Sequence, residues 1–166
     1  MKKIALLLMI ILFLACSKKE MIFSNFDTIE HFHLINDSLL DYKTRDSISE
    51  KIMNNDFPLN LNDKSFYDKL TQNNFSKIKW SNIDVSFFKN NFIRDTFTNT
   101  YTTACIPDYR DILILKESNK IVGIVKICIG CQMHYIIGEN KDKKQINNSG
   151  GIENLELEKF IEKHKQ

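Results

Sequence analysis

Two apolar runs around a short polar gap constrain the fold of this chain more than any other stretch. Ile112-Leu113-Ile114-Leu115 leads into Glu117-Ser118-Asn119-Lys120, and Ile121 to Ile129 is apolar again. Both runs are rich in Ile and Val, residues that suit a pleated, half-buried surface. The spacing predicts a β-hairpin over Asp111 to Cys131. Neither run alternates cleanly between apolar and polar residues, which predicts central strands covered on both faces.

The covering elements are weaker in the sequence. Phe26 to Ile35 reads as a strand, with Phe26, Thr28, Glu30, Phe32 and Leu34 on one face and Asp27, Ile29, His31, His33 and Ile35 on the other. Asn36-Asp37-Ser38 is a turn signal, and Ser47 to Met53 is expected to form a second strand. Asp63 to Gln72 is expected to be a helix. Asn62 can cap it, Asp63 favours the positive end of its dipole, and Phe66 and Leu70 form an i, i+4 apolar pair. Residues 73–103 hold Trp80, Phe87, Phe88, Phe92 and Phe97 among Asn and Lys. They admit either a short helix or a pair of irregular strands. Glu139 to Gly151 reads as a polar loop. Leu157, Phe160, Ile161 and His164 then follow helical spacing, which predicts a terminal helix over Ile152 to Lys163. The order implies an α+β domain: an antiparallel sheet with a C-terminal β-hairpin and two or more helices packed on it.

The first residues read as an address. Lys2 and Lys3 form a positive n-region, Ile4 to Leu14 is unbroken apolar, and Ala15 is the small residue that precedes a cut. This is the secretory pattern, and it falls short of the roughly 20 residues that a membrane span needs. Phe13-Leu14-Ala15-Cys16 resembles the lipobox of bacterial lipoproteins. That resemblance implies a signal peptide over residues 1–15, lipidation of Cys16 and a palmitate-type anchor in the membrane. Several acyl chains at about 0.8 kcal/mol per buried methylene hold such an anchor firmly. The other expectation is an ordinary signal peptide with an incidental cysteine. Ser17 stands where lipoproteins retained in the inner membrane commonly have Asp, so the resemblance implies the outer membrane. Ser17-Lys18-Lys19-Glu20 is similar to the tether that sends some lipoproteins to the cell surface. Residues 16–24 are then a lipidated N-terminus and tether, and 25–166 a single globular domain.

Cleavage would take the 23 Lys and Arg down by two, to 21, against 21 Asp and Glu. A neutral chain has no field to steer nucleic acid or anionic substrates. About 150 residues suit one domain with a real core.

Three cysteines remain besides Cys16, an odd number for an oxidising compartment. A turn centred between Ser118 and Asn119 makes facing residue numbers sum to about 237. That places Cys128 opposite Tyr109, and Cys105 opposite Gln132 beside Cys131. The expectation is a Cys105–Cys131 disulfide, worth roughly 3 to 4 kcal/mol by chain entropy, with Cys128 a buried free thiol on the face of Ile124. A bulge at Gly130 would shift the partner to Cys128. Two other readings use the same residues. Cys128-Ile129-Gly130-Cys131 could act in redox chemistry, although such sites open a helix and "QMHYIIG" reads as strand. Cys105, Cys128, Cys131 and His134 could bind zinc as a Cys₃His set. His31 and His33, at i and i+2, share a strand face and could bind a metal; two histidines on a solvated face is the plainer expectation.

The hairpin with Cys105, Cys128 and Cys131 is similar to a small family of bacterial lipoproteins that brings no activity with it. No Gly-rich phosphate loop, Gly-x-Ser-x-Gly or His-Glu-x-x-His occurs, so no catalytic residue or cofactor is implied. Two function classes follow. One is a non-enzymatic, membrane-anchored envelope lipoprotein that binds a protein partner. The other is a thiol/disulfide or zinc-binding envelope protein.

Overall fold

In the computed structural model, which describes residues 23, 25–35, 47–54, 57–72, 75–93, 105–139, 145–151 and 155–165, the hairpin sits at the centre of an antiparallel sheet. Its strands are β1 (Thr28–Leu34), β2 (Phe75–Lys79), β3 (Asp111–Glu117), β4 (Lys120–Cys128), β5 (Met133–Glu139) and β6 (Gln145–Gly151). They lie in the order β2-β1-β3-β4-β5-β6. Four helices are described: α1 (Ser47–Asn54), α2 (Lys64–Gln72), α3 (Asn82–Asn91) and α4 (Leu155–Lys163). None of them is long and apolar enough to cross a membrane.

The β3–β4 turn falls where the sequence puts it. Ser118 and Asn119 both have positive φ, 48° and 72°, as a two-residue hairpin turn with the right twist requires. Glu117 faces Lys120 and Lys116 faces Ile121, but Leu115 then faces Gly123. Val122 is the extra residue of a bulge, and it shifts the remaining register by one. The sequence contains no signal for that slip.

Helices cover both faces, as the unbroken apolar runs imply. On one face Leu113, Leu115, Val125, Ile127 and Ile136 pack with residues of α3 and α4. On the other, Ile112, Ile114, Ile124, Tyr135 and Ile137 pack with Ile52 of α1 and Phe66 and Leu70 of α2. The second face also buries Lys126 completely. Its ammonium donates to the Phe57 carbonyl at 3.0 Å and lies 4.5 Å from the Tyr109 ring centre and 5.4 Å from that of Tyr135. A buried charge needs such partners to offset its lost hydration.

Gly123 and Gly138 face each other across β4 and β5. A Cβ at either would come within 2.9 Å or 2.4 Å of the Phe23 ring. The two glycines thus leave a notch that Phe23 fills, 2% exposed. Packing therefore begins inside the stretch expected to be tether.

Four expectations change. Ser47–Asn54 is a helix and not a strand: buried Ser49, Ile52 and Met53 stand at i, i+3 and i+4, which is helical spacing. Gln145–Gly151 is strand and not loop, because the β5 edge supplies a ladder from Met133↔Gly151 to Glu139↔Gln145 that overrides a polar, glycine-ended sequence. Among the described residues of 73–103, one strand and one helix form. Helix α3 starts at Ser81, whose hydroxyl accepts from the Asp84 N–H at 3.2 Å; Ser-x-x-Asp is a capping signal that was readable in the sequence. In α2 the cap is Asp63 in place of Asn62, its carboxylate accepting from the N–H groups of Ser65 and Phe66.

Candidate functional site

The cysteines meet at one end of the sheet. Cys105 and Cys131 are at disulfide distance, with Cα atoms 5.8 Å apart, and Cys128 is a buried free cysteine. The pairing matches the expectation, but the ladder that was to enforce it does not extend that far. The β3–β4 register ends at Asp111↔Ile127, so Cys128 has no facing Tyr109. Residues 105–110 instead cross the β4–β5 turn. Their Asp108 N–H donates to Cys128 Sγ at 3.3 Å, as does the Cys131 N–H at 3.4 Å. The turn's left-handed residue is Gln132, φ 52°, and not Gly130. Cys128 lies among Ile124, Tyr135 and Met133, as a small hydrophobe would. Cys-x-x-Cys closes a strand here, so no helix N-terminus stands behind it to activate a thiol.

His134 is not brought to the cysteines. Cys128 pairs with Met133, and strand alternation sends His134 to the opposite face. His134 is fully buried. Burial pulls its pKa down to about 4, opposed by a backbone hydrogen bond with Gly151. Cys16 lies outside the described residues.

A second cluster forms on the α3–α4 face. His33 stands directly opposite Asp111, and His31 opposite Leu113, so the alternation of β1 and β3 aims all three polar side chains the same way. His31 Nε2 donates to Asp111 Oδ1 at 2.8 Å, and His33 Nδ1 donates to the same oxygen at 2.9 Å. The Lys165 ammonium, just past α4, lies 3.0 Å from Asp111 Oδ2. His31 and Asp111 are buried, and the His33 side chain is 20% exposed. The expected solvated histidine face is thus an internal network. Burial raises the Asp111 pKa, but the hydrogen bonds from His31 and His33, with the Lys165 charge, outweigh it and hold the carboxyl well below the usual range. Burial likewise holds His31 below its ordinary value, against the pull of Asp111.

A cavity of about 490 Å³ joins the two clusters. Its walls include His33, Asp111, Lys165 and Glu162 together with Cys128 and Cys131. The spacing of His31 and His33 was visible in the sequence. Asp111 and Lys165 were not, since only the β1–β3 pairing and the placement of α4 bring them to the histidines. Comparison with known proteins finds no match, neither a family model nor a curated protein nor a solved structure.

Proposed function

We propose that this protein is a non-enzymatic lipoprotein of the bacterial envelope, anchored through Cys16 in the outer membrane, that binds a protein partner. The observation that carries the reading is the apolar h-region ending at Ala15-Cys16 with a polar segment behind it. The packing of Phe23 adds a length. Only six residues, Ser17 to Ile22, separate the lipid-bearing Cys16 from Phe23 in the core, which makes seven Cα-to-Cα steps. Those seven steps span at most roughly 25 Å when fully extended. The domain is then held against the membrane surface, within reach of membrane-bound partners and of little else. Helix α3 supplies a contact face: Ile83 is 82% exposed and Phe87 46%, and the i, i+4 spacing puts them on one side.

Cys16→Ser should abolish lipid attachment, read by detergent partitioning and the mass of the mature chain. A variant that still partitions with membranes after unchanged processing would end the lipoprotein reading. For the partner, lipidated wild type and Ile83→Glu should be used in parallel to capture proteins from membranes. The substitution is on the surface and should move stability by no more than about 0.5 kcal/mol. A protein recovered by wild type should be lost with Ile83→Glu. Identical recovery by both would remove α3 as the binding face.

A further inference from the structure

We propose that His31, His33 and Asp111 form a binding site for one divalent transition-metal ion, held by His31 Nε2, His33 Nδ1 and Asp111 Oδ1. The three residues each offer one ligand atom, and those atoms lie within 4.8 Å of one another. Two imidazoles and one carboxylate on a single face, with an open side, suit zinc, iron or another imidazole-preferring divalent ion. The proposal is independent of the lipid anchor and uses none of the cysteines.

Two of the three ligand separations need little change to take an ion. Ligand atoms around a tetrahedral ion with bonds of about 2.0–2.1 Å are about 3.3 Å apart. The two nitrogens are now 2.8 and 2.9 Å from the shared oxygen, so each contact opens by roughly 0.5 Å. The protons need only change places on their own rings. The proton on His31 Nε2 moves to Nδ1, a buried atom with no hydrogen-bond partner, so the new N–H is unsatisfied and works against the ion. The proton on His33 Nδ1 moves to Nε2. Both coordinating nitrogens then present lone pairs to the ion. Adjacent, paired strands fix the donors, and rigid donors favour binding.

The remaining ligand positions open on the cavity, which His33 and Asp111 both border. Lys165 acts against the ion. Its ammonium is on Asp111 Oδ2 and also 2.6 Å from Glu162. A divalent ion at Oδ1 would feel that charge within a few ångström. Lys165 therefore weakens the site, and Glu162 limits the damage by sharing the lysine.

The test uses the full mature chain in detergent, stripped with a chelator and titrated with Zn²⁺ and, separately, Co²⁺. Wild type should take up one equivalent of Zn²⁺. The Co²⁺ form should show visible ligand-field bands without a thiolate charge-transfer band. His33→Ala and His33→Asn should each weaken binding at least about 100-fold, more than loss of an outer-shell partner costs. The asparagine keeps an N–H for Asp111, and His33 is at the cavity edge, so both variants should fold. Cys128→Ser should bind as wild type does. Lys165→Met should tighten binding about tenfold or more. Failure of wild type to bind Zn²⁺, full binding by either His33 variant, or a thiolate band lost in Cys128→Ser would overturn the proposal. Weaker binding by Lys165→Met would also overturn it, since an ion held by Asp111 should gain when the competing ammonium is removed.

Discussion

Phe160→Ala should lower the unfolding free energy by about 3–5 kcal/mol, the range for emptying a core aromatic site. Phe160 lies on α4 at 9% exposure, and its ring is a hub. The Trp80 ring centre is 5.2 Å away in an edge contact, Phe87 stacks at 5.1 Å, Phe92 lies at 5.5 Å and His164 at 4.6 Å. Aromatic pairs add about 0.5–1.5 kcal/mol beyond their buried area, so the upper part of the range applies. For a domain of this size the loss corresponds to a fall in Tm of roughly 6–20 °C. Urea unfolding of wild type and variant measures it directly. A midpoint equal to that of wild type would mean that α4 does not contribute to the core.

Acidification between pH 6.5 and 4 should remove about 3 kcal/mol of stability through His134. The folded state holds this imidazole neutral down to about pH 4, whereas the unfolded chain takes up the proton near 6.5. The unfolded state therefore binds more protons throughout that window, and stability falls as pH falls. Above 6.5 the contribution is fully present. His31, also held low by burial, acts in the same direction. Asp111 adds a separate loss below about pH 4, where the unfolded carboxyl protonates and the folded one resists. Urea midpoints from pH 7.5 to 4 on metal-free protein give the slope. His134→Leu should make it shallower between 6.5 and 4, leaving the part due to His31. A wild-type profile that is level across that window would show that His134 is not buried neutral.

The hairpin shows how much local chemistry can specify. Ser118 and Asn119 mark the turn as part of a short polar gap between apolar runs, and Asn119 is of a type that accepts positive φ more readily than most; the Ile- and Val-rich runs beside them are strands in a context that covers both faces. The terminal helix is legible for the same reason, since Leu157, Phe160 and Ile161 repeat at helical spacing and end up buried. Helix α1 was readable in principle, yet Ser47–Asn54 is eight residues long, too short for the helical and strand periods to separate.

Other features have no local cause. Strand β6, Gln145–Gly151, has a sequence that forms nothing by itself; the open hydrogen-bonding edge of β5 makes it a strand. The bulge at Val122 leaves no trace in composition, although it moves every pair from Leu115↔Gly123 onward. The Cys105–Cys131 pairing was derived from a register that the bulge breaks. It holds because residues 105–110 cross the β4–β5 turn, where the Asp108 N–H meets Cys128 Sγ.

The sequence by itself determined the α+β class, the central hairpin and its turn, and the helix that carries Phe160. These rest on backbone preferences and on apolar periodicity, which act between residues close in the chain. Tertiary structure alone decided the strand order, the register beyond the bulge, the separation of His134 from the cysteines and the meeting of His31, His33, Asp111 and Lys165. Those residues are as many as 134 positions apart, from 31 to 165. A contact of that span is fixed only when strands pair and helices settle on the sheet to bury their apolar faces.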